Sequence, residues 1–271
     1  MKKNLLILLT VVMVISLFTG VVGAQENLTI QGSSTVLPIA QKAAEVYMEN
    51  NDVSISVRGG GSGNGIAALI DGTTDIADAS RFIKQEEVDN AVANGHFPVP
   101  HRVAMDGIAV VVHPDNPIDK LTLMEIKQIY TGQIENWSEL GGTNQEVVVI
   151  SRDSSSGTFE VFNEIAVEGE RVTPGALLQA SNGAVKDTVA NTEGAIGYVG
   201  LGYLDESIKA TKVNGVYPTN STVASGKFPI ARPLFMFTDG WPEGLVADYI
   251  NFVLSAEGQK IVEEQGYVPL H

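Results

Sequence analysis

The chain has 271 residues, 44% of them apolar and 18% charged, with a formal charge of −15 and no cysteine. A chain of that length and composition can bury a full core, which excludes disorder as its default, and its acidity argues against nucleic acid and anionic membranes as partners. Without cysteine there is no disulfide, no cysteine-ligated metal and no lipid anchor through a thiol. Residues 1–24 carry Lys2 and Lys3, an apolar stretch from Leu5 to Phe18 and small residues up to Ala24, the layout of a secretory signal peptide. The apolar stretch is short of the ~20 residues a membrane span needs, so cleavage before Gln25 is expected over an uncleaved anchor. Loss of those two lysines takes the formal charge from −15 to −17, and the rest of the chain lies outside the cytoplasm.

From Gln25 onward, short β-branched runs alternate with helical patterns, the order of an α/β fold. "NLTIQGSSTVLPIAQKAAEVYMEN", "VSISVRGGGSGNGIAALI" and "VVVISRDSSSGTFEVFNEIA" each run from a strand through a Gly/Ser/Thr turn into a helix. Val36, Ile39, Ala43 and Tyr47 recur at helical spacing in the first, as do Phe159, Phe162 and Ala166 in the last. "AMDGIAVVVHPDNP" predicts a strand through Ile108–Val112, and "FPIARPLFMFTDGWP" resembles its counterpart near the other end. Read as two crossings, they divide the chain into one lobe of 25–108 plus 234–271 and a second of 109–233, with a ligand cleft between them.

The three turns share a chemistry. The first turn of a helix leaves backbone N–H groups without partners and concentrates partial positive charge, so an oxyanion fits there. Serine and threonine add donors, and glycine lets an anion approach the backbone. Taken singly, each turn is explained by helix capping; three together, two with an arginine, are harder to explain so. Arg81 and Arg152 both follow apolar segments beside serine, and a guanidinium offers a planar fork of donors. Each charge-assisted hydrogen bond nets only ~1.5–3 kcal/mol against a large desolvation cost, so many donors must converge on a buried dianion. Ser34, Thr35, Ser62, Ser80, Arg81, Arg152, Ser156, Gly157 and Thr158 supply such a set.

Taken together, "GSSTVLP", "GGGSGNG", "DIADASR", "VAMDGIAVVVHPDNP", "ENWSELGG", "SRDSSSGT" and "GAIGYVGLGYL" resemble the substrate-binding proteins of phosphate ABC transporters over essentially the whole mature chain. The resemblance implies a two-lobed, type II periplasmic-binding-protein fold, inorganic phosphate as ligand, an ABC permease as partner, no cofactor, no catalytic residue, a monomer, and a periplasmic or cell-surface location. It also implies that the nine residues above hold the ligand. Some members place an aspartate where Ser80 stands, to accept the proton of hydrogen phosphate, and some a second acid where Ser154 stands. Sulfate matches the shape and charge of that dianion but has no proton, so a facing carboxylate separates the two. Asp106, at the predicted crossing, is the candidate for that carboxylate, with Asp78 and Asp153 behind it.

Two other functions compete. Another tetrahedral oxyanion such as sulfate would use the same donors. A secreted phosphoesterase would need a nucleophile, but "GGSGN" misses the G-x-S-x-G elbow by ending in Asn64. The four histidines form no H-x-x-x-H pair, and there is no phosphate-binding G-x-x-x-x-G-K-[ST] loop.

Overall fold

The computed structural model describes residues 25–271, so the predicted signal peptide lies outside the described residues. The first strand, β1 (Glu26–Gly32), alternates as a half-buried strand must, with Leu28 and Ile30 inward and Asn27 and Thr29 outward. It feeds α1 (Leu37–Asn50), started by Pro38 in its first turn. Val36, Ile39 and Ala43 are buried as their spacing predicts, and Tyr47 packs edge-on against Tyr249 and Phe252. Then follow β2 (Val53–Gly59), α2 (Ser62–Ile70), β3 (Ile76–Ala79) and α3 (Gln85–Ala93), with β2 and β3 both parallel to β1.

The next strand, β4 (Pro98–Val112), is longer than its predicted core of Ile108–Val112. Pro98 and Pro100 sit at the start of the strand, where a missing N–H is tolerated. The second lobe contains β5 (Lys120–Leu121), α4 (Leu123–Tyr130), β6 (Val148–Arg152), α5 (Gly157–Ala166), β7 (Leu177–Gln179), α6 (Asn182–Ala190), β8 (Ala195–Gly200), β9 (Lys209–Ala210), β10 (Lys212–Val213) and α7 (Asn220–Ala224). The chain returns through β11 (Ala231–Asp239) and closes with α8 (Gly244–Leu254) and α9 (Ala256–Glu264).

Among the described residues the strand order is β2-β1-β3-β11-β4-β8-β6-β7, with β9 also on β4. The crossing between lobes lies inside β4: residues 98–107 pair antiparallel with β11, and Ile108–Val112 pair with β8. The cores divide at the same place. One gathers Ile108–Val112, Trp137, Phe162, Tyr198 and their neighbours, with Phe162 stacked on Tyr198 at 3.9 Å between ring centroids. The other lobe has a core on each face of its sheet, Ile76, Leu234 and Met236 on the side of α1 and α8, Ala77, Phe235 and Phe237 on the side of α2. This two-lobed arrangement, with β4 and β11 side by side at the crossing, brings the ends of both lobes' strands to one cleft.

Candidate functional site

Four helix starts meet in that cleft. Ser34 and Thr35 precede α1, Ser62 opens α2, Gly157 and Thr158 open α5, and Asn182 opens α6. The first two belong to one lobe and the last two to the other, and their side chains touch. Thr35 Oγ1 lies 3.0 Å from Thr158 Oγ1, and Asn182 Nδ2 donates to Ser34 Oγ at 3.1 Å and Thr35 Oγ1 at 2.9 Å. Ser62 Oγ accepts from the Ser80 amide at 3.0 Å and lies 3.3 Å from Ser80 Oγ. Backbone joins the lobes too, through Gly63 N–H to the Ser155 carbonyl at 2.9 Å and Tyr203 Oη to the Ser34 carbonyl at 2.5 Å. Burial pushes the Tyr203 pKa up to about 12, so it acts as a donor at any physiological pH.

Arg152 is buried at the end of β6 and held by carbonyls: Nε donates to Gln179 O at 2.9 Å and Nη2 to Ala180 O at 3.0 Å. That leaves Nη1 toward Ser34 Oγ, at 3.4 Å. Burial pulls the guanidinium's pKa down and Asp153 pushes back, yet an arginine stays charged. Asp153 does not clamp Arg152; its Oδ1 accepts the amide and hydroxyl of Ser155 and so shapes the turn. Ser156 caps α5, accepting from the Phe159 amide at 3.2 Å.

Arg81 has a different set of partners from the expected one. Its Nη1 and Nη2 grip both oxygens of Glu87 at 2.8 and 2.6 Å, and its Nε lies 3.0 Å from Glu160 on α5, which also meets Lys84 at 2.9 Å. The guanidinium is thereby neutralised and joins the lobes at the rim. Asp106 likewise differs. It is fully buried, but Oδ2 accepts Nε and Nη2 of Arg232 at 3.1 and 2.8 Å and Oδ1 accepts the Leu201 amide at 3.0 Å. Burial pushes its carboxyl pKa up, while Arg232 and the amides of Leu201 and Gly107 hold it down. With its oxygens so occupied, Asp106 is not a free proton acceptor. The physical reason is register: Arg232 on β11 stands directly opposite Asp106 on β4.

The hydroxyls at the centre are committed as donors. Thr35 Oγ1 receives Asn182 Nδ2 and Arg232 Nη2 (3.1 Å), which fill its two lone pairs, so in its contact with Thr158 Oγ1 it is the donor and the Thr158 proton is left to give. Ser34 Oγ is filled in the same way, receiving Arg152 Nη1 and the Asn182 side-chain and backbone amides. Donor hydroxyls, helix starts and Arg152 together suit a small anion rich in acceptor oxygens. Gly157 is what permits this closeness: a Cβ there would lie 2.5 Å from Ser62 Oγ and 2.9 Å from Ser80 Oγ. Gly157→Ala should therefore wedge the cleft and weaken anion binding at least tenfold by calorimetry. Alanine is at ease in a helix, so ligand-free melting should move by less than ~2 °C.

A sequence profile of the PBP superfamily domain matches residues 20–257. The phosphate-binding protein PstS of Bacillus subtilis strain 168 is 38% identical over 250 residues, covering 91% of this chain and 82% of that protein. The chain belongs to the PBP superfamily, among the PstS-like substrate-binding proteins. A Clostridium perfringens substrate-binding protein solved with bound phosphate superposes with a TM-score of 0.85 at 36% identity, over 91% of this chain and all of that one. An ABC-type phosphate transport receptor from Vibrio cholerae gives 0.72 at 32% identity, over 89% and 99%. As a PstS-like protein the chain is a transport component and not an enzyme, which sets aside the phosphoesterase reading.

Of the cleft residues in this PstS-like chain, Asn182 and Arg232 lie in no motif of the sequence, and Tyr203 lies in "GAIGYVGLGYL" without a role of its own. Arg232 left one trace, a lone charge inside the apolar run "FPIARPLFMF". A buried charge in a strand needs a partner, but only the fold supplies its identity.

Proposed function

We propose that this protein captures inorganic phosphate outside the cytoplasm, between two lobes that close on it, and delivers it to an ABC-type permease. The observation that carries the reading is the meeting of four helix starts with Arg152 and with hydroxyls already committed to donating. Ser34, Thr35, Ser62, Ser80, Arg152, Gly157 and Thr158 are the proposed ligand contacts, and Ser156 fixes the helix start they share. Arg81 serves closure, because Glu160 reaches it only when the lobes meet; Asp106 serves as the partner of Arg232. The lobes are the proposed rigid bodies, hinged where β4 changes partner at Gly107–Ile108.

Isothermal titration with inorganic phosphate tests this. We expect saturable one-to-one binding with a dissociation constant near micromolar or below, which requires about −8 kcal/mol after all costs, and no turnover of a phosphoester. Affinity should rise with pH through neutrality, since donor hydroxyls favour the dianion over the more protonated monoanion. No binding would overturn the reading. Sulfate is the competitor: weaker sulfate binding supports the phosphate role, and equal or tighter binding moves the assignment to another tetrahedral oxyanion.

A further inference from the structure

Arg232 has capacity that its known partners do not use. The side chain is 2% exposed, and its Nε–Nη2 edge is closed by Asp106 Oδ2. The outer N–H of Nη2 goes to Thr35 Oγ1 at 3.1 Å, at the centre of the cleft. In a planar guanidinium the neighbouring N–H of Nη1 runs parallel to that one, so Nη1 is directed to the same side. Nη1 is buried and meets no acceptor among the described residues. An unmade bond on a buried charged donor is expensive, and structures rarely leave one without use. The ion pairs point the same way: Arg81 is neutralised by Glu87 and Glu160, whereas Asp106 pairs with only one edge of Arg232 and Arg152 has no carboxylate within ion-pair distance among the described residues.

We propose that Arg232 is a second ligand-facing guanidinium: Asp106 holds its fork in place, and Nη1 donates to an oxygen of the bound oxyanion. This rests on the proposed capture of phosphate and assigns a residue within that site. It gives Asp106 a positioning role and explains why a buried aspartate can border an anion site without repelling the ligand, since its charge is spent on the arginine.

The test is phosphate titration calorimetry on the wild type, Arg232→Gln, Asp106→Asn and the double variant Asp106→Asn/Arg232→Gln. Arg232→Gln should weaken phosphate at least 30-fold, although stranding Asp106 would contribute to that loss. The double variant removes both charges and decides the matter: binding at least tenfold weaker than wild type supports ligand contact. Wild-type affinity in the double variant would show that Arg232 only neutralises Asp106, and would overturn the proposal. Asp106→Asn should cost less than Arg232→Gln, with the opposite order counting against it. Should the Arg232 variants fail to fold, a crystal structure of the wild type with phosphate answers directly. Nη1 within hydrogen-bond distance of a phosphate oxygen supports the assignment, and a separation beyond ~4 Å refutes it. A wild type that binds no phosphate refutes the functional reading instead, a result distinct from all of these.

Discussion

Arg152→Ala should abolish detectable phosphate binding while leaving a folded protein. The proposed site holds the Arg152 guanidinium against the ligand with its orientation fixed by the Gln179 and Ala180 carbonyls, so the donor is preorganised and no neighbouring hydroxyl can replace its charge. Truncating one partner of a buried charge pair costs about 2–5 kcal/mol or more, and a micromolar complex holds only about 8 kcal/mol in total. A loss near the upper end of that range weakens binding more than a thousandfold, to millimolar. Arg152→Lys should recover little, because an ammonium cannot reach two carbonyls and a ligand in one plane. Thermal melting reads both halves of the prediction. At a phosphate concentration of 100 times the dissociation constant, wild type gains about 2.7 kcal/mol, an upshift of roughly 5–10 °C for a chain of this size. The variant should show no upshift, with a ligand-free transition within a few degrees of wild type. A retained upshift would place the anion elsewhere.

Turn chemistry was legible because it is local. Strand, Gly/Ser/Thr turn and helix follow one another within twenty-odd residues, so the donors at Ser34, Ser62 and Gly157 could be read before any long-range contact was known. Gly32 and Gly65 show the same economy: a Cβ on Gly32 would lie 2.1 Å from the Asp78 carbonyl, and one on Gly65 2.5 Å from the Gln31 carbonyl, so the motif glycines are the places where backbones touch. What could not be read is pairing. Arg81 reads as a ligand residue beside Ser80, but Glu87 lies six residues on and Glu160 in the other lobe, and together they claim it. Asp106 reads as a free acid at a crossing, but β-register sets Arg232 opposite it. The proposed lobe boundary at 233–234 lies within β11, which pairs with β4 from Ala231 onward. The predicted strand covered only the apolar run Ile108–Val112, because Pro98, Pro100, His101 and Arg102 interrupt any such run in the first half of β4.

Asp78 is the acid whose effect should appear in stability and not in binding. It lies in β3 two residues from Ile76, on the face packed by α1 and α8, with both carboxylate oxygens buried and without a hydrogen-bond partner among the described residues. Tyr249 on α8 senses its charge, and the Tyr249 hydroxyl is already given to the Ala40 carbonyl at 2.9 Å. Burial therefore drives the Asp78 pKa well above the ordinary carboxylate value, and the folded protein keeps the proton where the unfolded chain releases it. The sign follows from linkage: this contribution is fully present below the unfolded-state pKa and is lost as pH rises toward the folded-state value. Within that window a single proton changes stability by about 1.4 kcal/mol per pH unit. Asp78→Asn keeps the shape and removes the titration, so its stability relative to wild type should climb with pH across the window and then level off. Denaturant unfolding of both proteins from pH 4 to pH 8 measures it. A difference that stays constant over that range would mean that Asp78 titrates normally and has a partner. Its backbone carbonyl still receives the Ser33 amide that shapes the first turn, so phosphate affinity should change by less than about threefold, separating a buried structural acid from the acids at the cleft.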